Sequence, residues 1–151
     1  MSQKARPAPI LIRAFVAADY ARVLEIWSES GLPVKPRGRD SRANIEKQVR
    51  MSNVRLFVAE TAGRTAGTVL ATHDGRKGWI NRLAVDACAR RRGIGRRLIL
   101  EAEQWLAAAG MEIFACLIES DNLPSMEIFE GLGYTRHPEI VYFAKRTYPD
   151  V

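Results

Sequence analysis

Residues 84–98 read A-V-D-A-C-A-R-R-R-G-I-G-R-R-L, and this stretch restricts the fold more than any other part of the chain. Leading into it, residues 79–85 form an apolar-leaning run with β-branched members, which predicts a strand. Leading out, Ile94, Leu98, Ala102, Trp105 and Ala109 recur at helical spacing and predict a helix. A helix N-terminus already carries partial positive charge from its unpaired N–H groups. Placing Arg91, Arg92, Arg96 and Arg97 around that end is unfavourable by roughly 0.3–1 kcal/mol per badly placed charge. An anion held at the helix start offsets this, with Gly93 and Gly95 letting the backbone approach it closely. The expected anion is a phosphate, and the residues of this stretch do not say which.

Two phosphate loops do not fit. No G-x-x-x-x-G-K-[ST] occurs, which argues against a nucleotide-hydrolysing P-loop. The run Gly93-Ile94-Gly95-Arg96-Arg97-Leu98 lacks the third glycine of a dinucleotide fingerprint, and its strand comes late in the chain. What remains, Arg90-x-x-Gly93-x-Gly95, resembles the [QR]-x-x-G-x-[GA] pyrophosphate loop of the GNAT superfamily, the acyl-CoA-dependent N-acetyltransferases. In that family the loop follows the fourth strand and opens the third helix. Residues 122–134, N-L-P-S-M-E-I-F-E-G-L-G-Y, resemble the family's later N-x-x-[AS]-x-x-x-[YF]-x-x-x-G-[FY] segment, one helix and one strand downstream. The resemblance spans residues 10–146. It implies an α/β (α+β) fold: a central mixed, mostly antiparallel sheet, helices on both faces, and fourth and fifth strands splayed apart.

With 151 residues, the chain is expected to form one domain over 1–151 with a substantial core. There is no 18-residue apolar run for a membrane span, and the start M-S-Q-K-A-R-P-A-P has no apolar signal core, so a cytoplasmic protein is expected. Cys88 and Cys116 match no metal spacing, and no metal site is expected. Reduced thiols follow from that compartment, Cys116 in the core and Cys88 beside the basic loop. The net charge of +6 favours anionic partners, and five of the 23 basic residues fall within residues 90–97. Nucleic acid is disfavoured, because this cluster lacks interleaved aromatics and no helix-turn-helix, RRM or zinc pattern is present.

Taken in order, residues 11–15 suggest a first strand. Tyr20, Val23, Leu24 and Trp27 mark an amphipathic helix over 18–30, stopped by Gly31. Residues 32–40, with two prolines and three basic residues, are expected as an exposed loop. Ser41 is expected to cap a second helix through residue 51, burying Ile45 and Val49. Strands follow over 54–60 and 66–72, then a turn over 72–78 that places His73 in an exposed hairpin. A strand over 79–86 feeds the phosphate loop, and Gly110 ends the long helix. Residues 111–118 read as a strand buried on both faces. A short helix over 124–131 starts with proline, and residues 140–145 are expected to close the sheet. His137 has no evident partner.

The resemblance implies a site. Backbone groups of Leu83, Ala84 and Val85 would run beside the pantetheine of acetyl-CoA, and one N–H there would stabilise the oxyanion. N–H groups and side chains of Arg90, Arg91, Arg92, Gly93, Ile94, Gly95 and Arg96 would hold the pyrophosphate. Asn122 and Ser125 would reach the pantetheine or acetyl end, and Phe129 would pack along the arm. The acceptor would be a primary amine on a small molecule, peptide or protein, and a homodimer is implied because many relatives form one. Two departures bear on the proton transfers. Phe129 stands where many members have a tyrosine that protonates the leaving thiolate; Ser125 or nearby Tyr134 could substitute, with Tyr134 expected to serve in aromatic core packing instead. No carboxylate lies between residues 75 and 85, so Glu119 or Asp121 becomes the expected base, or Asn81 the holder of a relay water. These departures leave two other classes open: a nonenzymatic CoA- or nucleotide-sensing module, and a nucleic-acid-binding protein built on residues 90–97.

Overall fold

The computed structural model describes residues 6–151. One sheet runs β1 (Ile10–Ala14), β2 (Val54–Thr61), β3 (Arg64–His73), β4 (Gly78–Val85) and β5 (Phe114–Ala115), in that spatial order. The first four strands are antiparallel, and β5 joins β4 in parallel. Four helices complete the mixed α/β architecture: α1 (Tyr20–Glu29), α2 (Arg42–Val49), α3 (Ile94–Ala108) and α4 (Leu123–Gly131).

Strand alternation divides the core between the two faces of the sheet. Leu56 and Val58 of β2 pack with Val23, Ile26 and Trp27 of α1 and with Ile45 of α2. Phe57 and Ala59 point the other way and pack with Leu98, Ile99 and Leu106 of α3. Both helix starts on the first face follow the sequence closely, and the Ser41 hydroxyl accepts from Asn44 N–H at 3.2 Å to cap α2. On the second face α3 lies close to the sheet at Gly67. A Cβ there would sit 3.0 Å from Ile94 Cγ2 and 3.2 Å from the Ala84 carbonyl, so glycine lets the start of α3 approach β3.

β4 carries an irregularity that controls the far side of the sheet. Leu70 pairs with Asn81, but Thr68 pairs with Ala84, so one extra residue is inserted in β4. Arg82 sits at this bulge with φ of 55°, an uncommon conformation for a residue with a side chain. The insertion reverses the alternation: Ile80 packs toward α3, whereas Ala84 packs toward α1. Buried Thr68 fixes the bulge. Its hydroxyl accepts from Trp27 Nε1–H at 2.9 Å and donates to the Arg82 carbonyl at 2.9 Å. After Trp79, ahead of the bulge, β4 and β5 separate, with ladder pairs confined to Gly78–Phe114 and Trp79–Ala115.

Four expectations need correction. The strand expected over 111–118 and buried on both faces is a ladder of two residues, Phe114–Ala115, both half-buried, with Ile113 and Leu117 exposed. β4 bends away on one side of it, and no strand of the described residues lies on the other. The closing strand expected over 140–145 does not form: these residues have no regular secondary structure and no place in the sheet. The loop over 32–40 is not simply exposed: Gly38 and Asp40 are buried, because the Asp40 carboxylate accepts from Lys35 N–H at 2.8 Å and pairs with Arg82. His73 ends β3 rather than sitting in the hairpin turn, with its ring 5.7 Å from that of Trp105. Among the described residues no helix is long and apolar enough to cross a membrane.

Thr68→Val removes both hydroxyl bonds while keeping shape, leaving the Trp27 indole N–H and the Arg82 carbonyl without this partner. The expected loss is about 2–4 kcal/mol, read from the urea midpoint; a loss below about 0.5 kcal/mol, within the range of an ordinary surface substitution, contradicts this account.

Candidate active site

The separation of β4 from β5 opens a cleft of about 910 Å³. Asn81 and Leu83 line one wall, residues 116–120 after β5 another, and Asn122, Ser125 and Phe129 of the α4 region its floor. The loop after α1 closes the far end through Leu32, Pro33, Arg39 and Asp40, and the C-terminal segment adds Tyr142, Arg146 and Tyr148. Six of the expected residues therefore meet in one space: Asn81, Leu83, Glu119, Asn122, Ser125 and Phe129. Asp121 is not among those lining the cleft.

Each of these groups has limited freedom. Asn81 Oδ1 accepts from Leu117 N–H at 3.0 Å, so the side chain bridges the splayed strands and only its Nδ2 hydrogens remain for a cleft water. Asn122 Oδ1 accepts from Ser125 N–H at 3.3 Å and caps α4, leaving the Ser125 hydroxyl toward the cleft floor without a side-chain partner among the described residues. Glu119 is exposed on the cleft wall and forms no side-chain bond among the described residues. Phe129 is 3% exposed and meets the Tyr134 ring edge-on at 4.9 Å. Tyr134 donates its phenolic hydrogen to Glu103 Oε1 at 2.7 Å, away from the cleft. Burial, reinforced by the Glu103 carboxylate, holds that phenol well above its ordinary range. Tyr134 is core packing, not a replacement acid. Cys116 on the wall is also inert, because burial pushes its thiol up to about 11.

The basic loop leads out of β4. Asp86 accepts from Cys88 N–H at 3.1 Å and pairs with Arg22, which fixes the turn after the strand. Arg91 (φ 60°) and Gly93 (φ 73°) both adopt left-handed conformations, and Gly93 is the N-cap of α3 with no side-chain bond to close it. The first N–H groups of α3, at Ile94, Gly95 and Arg96, are thus left for an external acceptor, while Arg97 N–H bonds the Gly93 carbonyl at 3.1 Å. The arginines divide. Arg90 Nε donates back to the Val85 carbonyl at 3.2 Å, Arg92 bonds the Ala8 carbonyl and Thr61 Oγ1, and Arg97 bonds the Ile10 carbonyl at 2.9 Å. Arg91 and Arg96 are exposed and make no side-chain bond among the described residues. Ile94 and Gly95 are buried beneath the loop, and Ala84 faces the α1 side of the core.

The profile of the acetyltransferase (GNAT) family matches residues 20–134 of this chain, from the start of α1 to the end of the α4 segment. The chain belongs to the GNAT acetyltransferase family. An acetyltransferase from Photorhabdus laumondii is 33% identical over 140 residues, covering 92% of this chain and 96% of the relative. One from Sodalis glossinidius is 29% identical over 139 residues, with the same coverage. Among solved structures, aminoglycoside N-acetyltransferase AAC(6')-Iy in complex with CoA superposes with a TM-score of 0.79 at 18% identity, covering 95% of this chain and 99% of the other. The GNAT fold of this chain departs from its sequence-based picture mainly at Arg82 and Asp40. Their ion pair at 3.3 Å, with Arg82 lying 4.7 Å from the centre of the Trp27 ring, builds the end wall of the cleft. Nothing local in β4 marks that bulge, and the one available signal was a lone arginine in an apolar strand. Among the described residues no group of three or more His, Cys, Asp or Glu could hold a metal ion.

Tyr134→Phe separates packing from chemistry. It should lower stability by about 1 kcal/mol through the lost bond to Glu103 and leave acetyl transfer within about twofold of wild type; a loss of about 100-fold or more in kcat, the scale of a missing general acid, contradicts the placement of Tyr134 in the core.

Proposed function

We propose that this chain transfers an acetyl group from acetyl-CoA to a primary amine, working as one domain over residues 1–151. One observation carries the reading: an uncapped start of α3, with Gly93 in a left-handed conformation, lies at the end of the strand that walls the cleft. The unpaired N–H groups of residues 94–96, with Arg91 and Arg96 beside them, suit the pyrophosphate. The separated edges of β4 and β5 suit the extended pantetheine arm, with Leu83 and Val85 on one side and Phe129 beneath. Bound acetyl-CoA supplies a thioester carbonyl that a neutral amine can attack. An N–H of residues 83–85 stabilises the oxyanion. Glu119, or a water held by Asn81, takes the amine proton, and Ser125 stands nearest in role to the missing tyrosine. A thiolate leaves without strong acid assistance, since thiols titrate near pH 8–9.

The acceptor end of the cleft is net basic. Arg82 and Asp40 neutralise each other in their ion pair, which leaves Arg39 and Arg146 against the carboxylate of Glu119 among the side chains that line the cleft. This charge favours an acceptor that bears an anionic group beside its amine over a polycation. The nucleic-acid reading loses support, because Arg92 and Arg97 are tied to backbone carbonyls of the β1 region. A CoA-sensing module is distinguished from an enzyme by turnover across an amine panel.

Gly93→Asp tests the phosphate loop. Asp visits the left-handed region more readily than most residues and a Cβ there meets no atom within 4 Å, so the cost to the fold is backbone strain alone, while the bound anion is repelled. Calorimetry should show acetyl-CoA binding weakened at least about 30-fold, about 2 kcal/mol, with the protein still folding cooperatively at a modestly lowered thermal midpoint. Equal affinity in both proteins, or no binding by folded wild type, overturns the reading. In the acceptor panel, amino acids or short peptides should turn over faster than spermidine; the reverse order contradicts the charge argument.

A further inference from the structure

Arg82 holds a backbone conformation that arginine does not favour. Its φ of 55° lies in the left-handed region, where glycine is free of strain and a residue with a Cβ is not. Strain of this kind persists only where surrounding contacts hold it, and it clusters at functional sites. The side chain shows what arginine does here. Nη1 donates to the Pro33 carbonyl at 2.6 Å, and Nη2 lies 3.3 Å from each Asp40 carboxylate oxygen. The guanidinium carbon lies 4.7 Å from the centre of the Trp27 ring. A planar fork makes these contacts together, whereas an ammonium would keep one of them.

The groups that Arg82 holds belong to one loop. Residues 32–40 join α1 to α2 without regular secondary structure, and Leu32, Pro33, Arg39 and Asp40 line the end of the cleft. Within the loop, the Gly38 and Asp40 N–H groups donate to the Lys35 carbonyl at 2.9 and 3.0 Å, and Lys35 N–H donates to the Asp40 carboxylate at 2.8 Å. These bonds close the loop on itself and leave its place in the molecule open. The Tyr20 hydroxyl donates to the Asp40 carbonyl at 2.8 Å and Asn44 Nδ2 to the Gly38 carbonyl at 2.7 Å, which ties the loop to its flanking helices. Among the hydrogen bonds of the described residues, only those of Arg82 join it to the sheet.

We propose, resting on the acetyl-transfer reading above, that Arg82 is the positioning residue for acceptor recognition. By holding Pro33 and Asp40 against β4, it sets the distance between the loop that meets the acceptor and the strand beside which the thioester lies. The Asp40 carboxylate also lies 3.7 Å from Arg39 Nε, so fixing Asp40 fixes a cation that faces the acceptor end. Arg82 acts through the loop. Its loss weakens acceptor binding and leaves the cofactor site intact.

The test uses Arg82→Met and Arg82→Lys, both unbranched like arginine, so neither crowds the backbone at a φ of 55° further. In hydrogen exchange, the Lys35, Gly38 and Asp40 amides of Arg82→Met should exchange at least about 10-fold faster, while amides of the β2–β3 ladder keep their wild-type rates. With the fastest acceptor of the panel, KM should rise about 10-fold, while kcat and the acetyl-CoA dissociation constant stay within about twofold, the pattern of lost acceptor binding. Arg82→Lys should fall between wild type and Arg82→Met. The double variant Arg82→Met, Asp40→Asn leaves no unpaired buried charge, so it should fold even where the single variant does not, and it should show the same raised KM because the loop is released in both. Wild-type KM or wild-type loop exchange in the double variant overturns the proposal. So does an acetyl-CoA dissociation constant that rises as much as KM. Wild type that binds acetyl-CoA and acetylates no member of the panel overturns the acetyl-transfer reading and the proposal with it, a result seen before any variant is made.

Discussion

The Thr68 hydroxyl, buried between α1 and β4, holds an extra residue in β4 by bonding the Arg82 carbonyl while accepting from the Trp27 indole. The inserted residue reverses the alternation of β4, so Leu83 and Val85 turn to the α3 side, just beyond the point where pairing with β5 ends at Trp79–Ala115. The cleft exists because that pairing stops. The Arg82 side chain then crosses to Trp27 and Asp40, and Asp40 in turn organises the loop after α1 through Lys35 N–H. One polar contact therefore sets both the course of β4 along the cleft and the cleft's end wall.

The basic loop is best understood by which of its charges remain available. Three arginines are engaged with backbone carbonyls near the sheet, and these bonds tie the loop and the start of α3 to β1 and β4. Arg91 and Arg96 stay exposed beside the uncapped N–H groups of α3. Positive charge at a helix N-terminus is destabilising in isolation, and it becomes favourable when an anion is bound there. The loop thus combines a structural clamp with an anion site, and the sequence cluster alone does not separate the two roles.

What was legible in the sequence was local. The passage from strand to glycine loop to helix at residues 84–98 depends on near neighbours, as does the Ser41 cap, and both are found as expected. The bulge at Arg82 was not legible, because it depends on Trp27 and Thr68, far away in sequence. Asn81 and Asn122 line the cleft, and their carboxamide oxygens are engaged by the N–H groups of Leu117 and Ser125, bonds that no spacing rule reveals. At residues 111–118 and 140–145, β-branched and aromatic residues favoured strands, and only Phe114–Ala115 joins the sheet. A strand also needs a partner edge, which is a property of the assembled sheet and not of the segment.

The account rests on the separation of β4 from β5 as the seat of the cofactor arm. A crystal structure of the protein with CoA tests this most directly. The predicted result is a pantetheine arm lying between residues 83–85 and 116–118, the pyrophosphate within hydrogen-bond distance of the N–H groups of residues 94–96, and Arg82 still in its left-handed conformation. CoA bound outside the splay, or β4 and β5 paired continuously past Trp79 with the bulge gone, would contradict it.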